Sequence, residues 1–171
     1  MEEKRLYPKQ KQDMFGRVEA GAKYGYVDNK ENWVIEPIFD HADDFNYNNT
    51  DKRNPLNAPV TYNGKYGRIR PDGSYLLKPI YDIIYGFKEG IATVCIKDYK
   101  DREKDFYIAN WGYVKPDGTY LFEPQFEVAM EFEDGFALVQ DENERWGKID
   151  TNGNWVIKPV SRDIDDVLNN H

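Results

Sequence analysis

The sequence predicts an all-β fold made of tandem antiparallel repeats, and three observations support this prediction. Aromatic residues make up 15% of the chain, and flat rings favour the pleated, half-buried surface of strands. A pair formed by an aromatic residue and glycine occurs four times, and a proline always follows thirteen residues after the aromatic. The pairs and their prolines are Tyr24-Gly25 with Pro37, Tyr66-Gly67 with Pro79, Trp111-Gly112 with Pro124, and Trp146-Gly147 with Pro159. Such recurrence is typical of a repeat architecture.

More positions share this frame, so the repeat extends beyond the aromatic-Gly pair. An aliphatic residue lies two positions after each glycine: Val27, Ile69, Val114 and Ile149. Two residues after each of the first three prolines lies an aromatic residue, which an acid follows directly: Phe39-Asp40, Tyr81-Asp82 and Phe126-Glu127. The pairs are spaced by 42, 45 and 35 residues, so the longer spacings contain insertions around residues 46 to 58 and 97 to 109. We expect these insertions to be exposed loops or extended hairpins.

The length and the repeat frame together predict the domain organisation. A chain of 171 residues suits a single domain, which covers residues 1–171. The frame divides it into units at about residues 14–57, 58–94, 95–139 and 140–160. The remaining residues 161–171 depart from the frame. Because Ile164, Val167 and Leu168 have helical spacing, this segment is expected to form a short C-terminal helical cap.

Each unit is expected to contribute three strands, as the third unit illustrates. Residues 111–115 alternate between two faces, and the Pro-Asp-Gly sequence at 116–118 favours a turn. Residues 119–123 are apolar on both faces, which predicts a covered central strand ending at the following proline. The Glu-Asp-Gly sequence at 133–135 turns the chain into a further alternating strand at 136–140.

The repeat predicts how the units are arranged. We expect tandem hairpin or three-stranded repeats stacked as a curved, solenoid-like array. A propeller-like closure is the alternative, and units of unequal length favour the open array over it. In either arrangement the glycines of the aromatic-Gly pairs are expected to be positions of close backbone approach. Their aromatic residues would then form an internal ladder or, alternatively, a platform for a ligand.

The charge of the chain limits its partners. The sequence has 23 basic and 31 acidic residues and a formal net charge of −8. Binding to nucleic acid requires clustered Lys and Arg, so this balance argues against it. An acidic surface fits a basic protein partner approached by electrostatic steering, although solubility alone also explains it. The start of the chain is hydrophilic, and no apolar run reaches membrane-spanning length, so we expect a cytoplasmic protein without membrane association.

Candidates for metal binding and catalysis are weak, and we expect no metal, no cofactor and no enzymatic activity. His41 and His171 are far apart in sequence, and the acids of residues 98–105 alternate with lysine and lack the pattern of a calcium loop. Cys95 lies in an apolar run and is expected to be a buried thiol. The acids after the prolines, Asp40, Asp82 and Glu127, are expected to accept backbone N–H bonds at strand ends.

Four residues are candidates for a binding strip because the repeat leaves their position free. Tyr26, Arg68, Tyr113 and Lys148 follow the aromatic-Gly pairs directly, on the face opposite the repeated aliphatic residue. Tyrosine and arginine are enriched at protein interfaces, so this register predicts a contact strip. An ordinary solvent-facing surface is the alternative interpretation.

Four segments of the sequence resemble the WG repeat family, also called KWG repeats. They are AKYGYVD at residues 22–28, NGKYGRI at 63–69, NWGYVKPDG at 110–118 and RWGKIDTNG at 145–153. The resemblance extends over about residues 15 to 160, although two units have Tyr in place of Trp and the first has Glu31 at the turn glycine. It implies an antiparallel β-repeat scaffold of bacterial proteins, usually of undefined molecular function and without shared catalytic residues.

These observations lead to two functional hypotheses. The first is a non-enzymatic protein-binding module, for example a small acidic inhibitor or immunity-type protein that neutralises a basic partner. The second is a carbohydrate- or small-ligand-binding protein, which requires exposed aromatic residues such as Trp111, Trp146 or Trp155. Unpaired sheet edges could also recruit a second copy and form a homo-oligomer.

Overall fold

The computed structural model describes residues 5–101 and 106–168, and this part of the chain is all-β. Its strands form four antiparallel sheets in which neighbours in sequence are neighbours in space. The first sheet contains β1 (Tyr7–Gln10), β2 (Tyr24–Val27) and β3 (Trp33–Phe39). The second contains β4 (His41–Ala42), β5 (Ala58–Tyr62), β6 (Lys65–Ile69) and β7 (Tyr75–Tyr81). The predicted all-β fold with tandem repeats is therefore confirmed.

The second half of the chain repeats this pattern. The third sheet contains β8 (Ile83–Lys88), β9 (Ile91–Asp101), β10 (Phe106–Val114) and β11 (Tyr120–Phe126). The fourth contains β12 (Val128–Ala129), β13 (Phe136–Gln140), β14 (Trp146–Asp150) and β15 (Trp155–Ser161). A four-residue helix, α1 (Asp165–Leu168), follows β15 and contacts β14 and β15. This helix confirms the predicted C-terminal cap, and its Val167 is fully buried.

The chain divides into two compact units. Unit 1 is Met1–Thr50 with Leu56–Ile80, and unit 2 is Asp51–Pro55 with Tyr81–His171. Each unit has its own hydrophobic core, in which side chains of two consecutive sheets pack together. The core of unit 1 is centred on Tyr26 and Phe39, and that of unit 2 on Tyr113 and Phe126. The expectation of a single domain over residues 1–171 stays a prediction.

The glycine of each aromatic-Gly pair lies beneath a bulge of the next strand. Trp111 pairs with Phe126 and Tyr113 with Phe122, so one step on β10 corresponds to a longer step on β11. The extra residues include Pro124, and a Cβ added at Gly112 would lie 2.6 Å from the carbonyl oxygen of Phe122. Equivalent bulges lie against Gly25, Gly67 and Gly147. The predicted close approach is confirmed. The approaching group is the backbone of the proline strand at Gly25, Gly67 and Gly112, whereas at Gly147 a Cβ would lie nearest to the Trp155 side chain, at 2.8 Å.

The proline strands occupy sheet edges, so the prediction that they are covered central strands is wrong. β3, β7, β11 and β15 are each the last strand of their sheet. In β3 and β11, a hairpin turn of the following sheet covers part of the apolar surface. Gly73 lies against the Ile35 side chain in unit 1, and Gly153 lies against Leu121 in unit 2. An edge position also suits proline, which lacks a donor for the ladder.

The two insertions adopt different structures. Residues 97–101 and 106–109 lengthen β9 and β10, whose register runs from Ala92 opposite Val114 to Asp101 opposite Phe106. These parts of the insertion have the form of an extended hairpin, one of the two forms expected, and residues 102–105 lie outside the described residues. The insertion near residues 46 to 58 is a loop between β4 and β5. Its residue Asn57 is buried, and Asn54 accepts a 2.9 Å hydrogen bond from the Gly90 N–H within unit 2.

Candidate functional site

Tyr26 and Tyr113 are core residues, so the expectation of an exposed contact strip is wrong at these two positions. Both side chains are 0% exposed. At these two positions the side chain enters the space between the two sheets of its unit. The Tyr26 hydroxyl donates a 2.7 Å hydrogen bond to the carbonyl of Asp43, and the Tyr113 hydroxyl donates a 2.6 Å bond to that of Met130. Burial raises the pKa of both phenols.

Arg68, the equivalent residue of the second repeat, is half-buried and ties β6 to the loop between β4 and β5. Its Nη1 donates a 2.8 Å hydrogen bond to Oδ1 of Asn57, and the backbone N–H of Asn57 donates to Asn46 Oδ1 at 2.7 Å. Burial lowers the pKa of Arg68, and the negative charge of Asp43 opposes this effect. The Arg68 Nε has no hydrogen-bond partner among the described residues. These contacts give Arg68 a structural role.

Lys148, the equivalent residue of the fourth repeat, is the predicted residue that reaches a surface site. Its Nζ lies 4.5 Å from the centroid of the Phe136 ring, which is the geometry of a cation–π contact. Both side chains line a groove of about 290 Å³ in unit 2, here called the acidic groove. Its apolar part is formed by Met130, Phe136, Ala137, Leu138 and Leu168, and its acidic part by Glu131, Glu133 and Asp134.

The floor of the acidic groove exposes large apolar side chains. Met130 is 41% exposed, Phe136 39% and Leu168 49%. The sequence does not predict this cluster, because among its members only Lys148 lies at a free repeat position. The other side chains come from the β12–β13 connection, from β13 and from the cap helix α1, and the repeat frame does not predict that these segments meet.

The acidic rim is held in a tight hairpin turn. Asp134 and Gly135 both have positive φ, 51° and 85°, as a two-residue hairpin loop of the primed type requires. The backbone groups of Glu133 and Phe136 exchange hydrogen bonds of 2.8 and 3.1 Å, and the Gly135 N–H donates to Glu89 Oε2 at 2.9 Å. Because the backbone is fixed by these bonds, the carboxylates of Glu133 and Asp134 project from a defined position.

Aspartates also occupy the hairpin turns that precede the proline strands. Asp72 accepts the backbone N–H of Ser74 at 2.9 Å and its hydroxyl at 2.7 Å, and Asp117 binds Thr119 with the same distances. These side-chain and backbone donors hold the pKa of both carboxyls below their usual range. Hydrogen bonds from Asn154 lower the pKa of Asp150 in the fourth repeat. Unit 1, through Asp72, and unit 2, through Asp117 and Asp150, therefore each carry fixed negative charge in their turns.

The acids after the prolines hold backbone groups, as expected, at two of the three positions. The Asp82 carboxylate accepts the Lys97 N–H at 2.8 Å. The Asp40 carboxylate accepts the Gly64 N–H at 3.3 Å and forms an ion pair with Lys23. The Lys23 hydrogen bond and the backbone donors lower the pKa of Asp40. These acids therefore fasten the ends of their strands.

The aromatic residues of the pairs do not all lie inside the protein, so the predicted internal ladder is wrong. Tyr66 is 47% exposed. Trp111 is half-buried and stacks on Tyr85, with ring centroids 5.5 Å apart and planes inclined by 16°. Trp146 and Trp155 are half-buried too. The exposed tryptophans that the ligand-binding hypothesis requires are therefore not found at these three positions.

Other candidates for chemistry have structural surroundings. Cys95 is fully buried, which confirms the prediction of a buried thiol. His41 is exposed, with Nε2 3.0 Å from Oδ1 of Asp43. Over residues 5–101 and 106–168, no group of three His, Cys, Asp or Glu side chains is placed to hold a metal ion. Glu103, Asp105 and His171 lie outside these ranges.

The fold and these sites define a tandem antiparallel β-repeat protein, in which the aromatic-Gly and proline positions build the scaffold. The family model of the WG containing repeat matches residues 24–66, 66–100, 111–144 and 146–170. Since these matches cover most of the chain, the protein belongs to the WG repeat family. Searches of the curated proteins and of the solved structures found no match. Within the described part of the chain, no helix has the length and apolar character needed to cross a membrane.

The first three family repeats each contribute to two sheets. The repeat at residues 24–66 supplies β2 and β3 to the first sheet and β4 and β5 to the second. The repeat at 111–144 supplies β11 to the third sheet and β12 and β13 to the fourth. The second, third and fourth sheets are therefore each completed by two consecutive repeats, which explains why each core contains side chains of more than one repeat.

Proposed function

We propose that this WG repeat protein is a non-enzymatic module that binds a basic protein partner. The observation that carries the proposal is the set of turn aspartates, because hydrogen bonds hold part of the chain's excess negative charge at fixed positions. Asp72 and Asp117 are exposed, and their local hydrogen bonds hold the carboxylates in place and lower the pKa of both groups. Negative charge held in rigid turns attracts a positively charged surface and accelerates association with it.

The absence of catalysis is part of the same proposal. Among the described residues, the titratable groups with the largest shifts are Tyr26, Tyr81 and Tyr113. Each of these phenols is buried and donates its hydroxyl to a neighbouring carbonyl or hydroxyl, so its surroundings explain its pKa without a reaction. Catalytic acids and bases generally combine a shifted pKa with access to a cleft.

A small acidic inhibitor or immunity-type protein is the concrete form of this proposal. Such a protein acts in the bacterial cytoplasm by covering the basic face of an effector. A compact scaffold with a strongly acidic surface is suited to this, because rapid association and high solubility both follow from the charge. The carbohydrate-binding alternative is less well supported, because the tryptophans named for it, Trp111, Trp146 and Trp155, are half-buried.

Homo-oligomerisation through sheet edges stays a prediction. The edge strands β3, β7, β11 and β15 each contain the repeat proline, namely Pro37, Pro79, Pro124 and Pro159. Proline removes one donor from the free edge and so weakens pairing with a second copy.

Affinity capture tests the proposal directly. The immobilised chain is incubated with native lysate of its own source at about 50 mM and about 300 mM salt, and the retained proteins are identified. We expect basic proteins that are retained at low salt and released at high salt. The control is the Asp72→Asn, Asp117→Asn variant, because asparagine retains a turn acceptor but removes the charge. Recovery of no partner at low salt, or of acidic partners alone, would contradict the proposal.

A further inference from the structure

We propose that the acidic groove of unit 2 is a docking site for an extended basic segment of a protein partner. The segment places an aliphatic side chain on the groove floor and a Lys or Arg on either side of it. This inference rests on the proposed function, since it assigns a site to the basic partner. It goes further by naming the surface and the chemistry of the segment that the surface recognises.

The floor of the acidic groove is suited to an aliphatic side chain. Single exposed apolar residues are common, but Met130, Phe136 and Leu168 line one concavity together. Clusters of this kind mark interaction sites. The volume of about 290 Å³ lies at the lower limit for pockets of drug-sized ligands, which are roughly 300–1,000 Å³. The floor therefore accommodates one or two side chains of a peptide better than a whole small molecule.

The rim of the acidic groove provides charge complementarity to a cation. The carboxylates of Glu133 and Asp134 make no hydrogen bond or ion pair within residues 5–101 and 106–168. Glu131 is paired with Lys88 at 3.1 Å, with both side chains partly exposed. Exposed ion pairs of this kind contribute little stability, so a cation of the partner can replace Lys88 at low cost. Three carboxylates beside an apolar floor therefore favour a segment that is basic and aliphatic.

The rim does not have to be ordered when a partner binds. The Asp134–Gly135 turn is closed by the bonds between Glu133 and Phe136 and fastened to Glu89. Since the entropy cost of ordering a loop is subtracted from binding, a pre-formed rim retains more of the interaction free energy. The hairpin that projects the carboxylates also supplies Phe136 to the floor.

Lys148 occupies the position that a cation of the partner would take. Its ammonium lies over the Phe136 ring at 4.5 Å from the centroid, so this ring face already binds a cation. In the proposed complex Lys148 is a competitor. Replacing it with glutamine would free the ring face and make the groove more negative. The proposal therefore predicts that the Lys148→Gln variant binds the partner more tightly. If Lys148 instead contacted the partner, the same variant would bind more weakly.

The test uses three peptides with the whole ¹⁵N-labelled chain in nuclear magnetic resonance titrations. The probe is acetyl-Lys-Leu-Lys-Leu-Lys-amide, and its two controls replace all leucines by serine or all lysines by glutamate. We expect amide shifts confined to the Met130–Leu138 hairpin, Lys148 and Leu168. The serine and glutamate peptides should bind at least about tenfold more weakly, since each lacks one of the two interactions.

Variants identify the groups that bind. The Glu133→Gln, Asp134→Asn variant should bind the leucine peptide about five- to tenfold more weakly than the wild type. Asparagine is chosen at position 134 because it tolerates the positive φ there. The Lys148→Gln variant should bind the leucine peptide about two- to fivefold more tightly than the wild type. A charge-matched control, Glu36→Gln with Glu142→Gln, removes two exposed acids outside the groove and should change the affinity less than about twofold.

The outcomes separate this inference from the proposed function. Equal binding of the leucine and serine peptides, shifts spread over the turns, or weaker binding by Lys148→Gln would each overturn the groove assignment. So would self-association of the wild-type chain that Glu133→Gln, Asp134→Asn abolishes, because the groove would then hold a second copy. If a basic protein is captured equally by the wild type and this double variant, the proposed function stands and the groove assignment fails. If the wild type captures no basic protein, both fail.

Discussion

The buried hydroxyl of Tyr113 donates a 2.6 Å hydrogen bond to the carbonyl oxygen of Met130, whose side chain lies on the floor of the acidic groove. A core tyrosine thus fixes the backbone of a surface site. The equivalent pair in unit 1, Tyr26 and Asp43, has the same geometry, with a bond of 2.7 Å. The scaffold and the groove are connected through this bond.

Replacing Tyr113 with phenylalanine tests that connection. The Met130 carbonyl would lose its donor in a buried setting, so we expect the free energy of unfolding to fall by about 1–3 kcal/mol. Binding of the leucine peptide should weaken as well, because the groove floor is no longer fixed. Tyr26→Phe is the matched control: urea unfolding should show a similar loss of stability, and peptide titration should show unchanged affinity. Equal effects of both variants on binding would contradict the connection.

The glycine beneath the proline bulge should tolerate no side chain. Gly112→Ala places a Cβ 2.6 Å from the Phe122 carbonyl oxygen, and the backbone of β11 must shift to relieve this contact. We expect a loss of about 3 kcal/mol or more in urea denaturation. Gly86→Ala is the control, since its Cβ would meet nothing within 4 Å. A similar, small effect of the two substitutions would show that the bulge is not rigid.

Acid should destabilise the fold through the turn aspartates. The folded-state pKa values of Asp72, Asp117 and Asp150 are lowered, chiefly by side-chain and backbone hydrogen bonds from neighbouring residues. Their contribution to stability is therefore complete above the unfolded pKa of about 3.9 and is lost as the pH falls through the lower folded values.

Melting temperatures measured from about pH 5 to about pH 2 check this prediction. The triple variant Asp72→Asn, Asp117→Asn, Asp150→Asn should show a shallower decrease than the wild type. Asp134→Asn, at a carboxylate without a hydrogen bond in the described structure, should leave the decrease unchanged. A triple variant with the wild-type slope would mean that other groups govern acid stability.

Alkali should destabilise the fold through buried phenols. Burial raises the pKa of Tyr26, Tyr81 and Tyr113 in the folded state, and the hydrogen bond with Tyr120 adds to this for Tyr81. The stability contributed by neutral tyrosine is complete below the unfolded pKa of about 10 and is lost as the pH rises toward the folded values. The absorbance of tyrosinate should therefore show a fraction that ionises only on unfolding, whereas the urea-unfolded chain ionises in one step. Ionisation of all tyrosines before unfolding would contradict the buried positions.

The sequence predicts much of the scaffold because the residues that the backbone requires, such as the glycine and the proline, occur at the same positions in all four repeats. The Gly112 and Pro124 positions indicate a close approach, and the structure has one there. The edge location of the proline strand was missed because apolar residues on both faces of 119–123 indicate burial, but not what covers them. The cover includes the turn at Gly153, which belongs to the next repeat.

The site was predicted less well, for a physical reason. A free position in the repeat is expected to be exposed, but Tyr26 and Tyr113 fill the space between sheets, and their hydroxyls donate hydrogen bonds to backbone carbonyls. Lys148 in the same register reaches the surface, and its companion Leu168 comes from the cap helix. Only the three-dimensional structure brings these two residues to one groove.

Binding of a basic partner through acidic charge is the central claim, and the salt dependence of affinity tests it most directly. The measurement is isothermal titration calorimetry of the whole chain with the partner recovered by capture, at salt concentrations from about 50 to about 300 mM. We predict a dissociation constant that rises by about tenfold or more across this range, and a weaker dependence for Glu133→Gln, Asp134→Asn. A dissociation constant that is independent of salt would contradict the account.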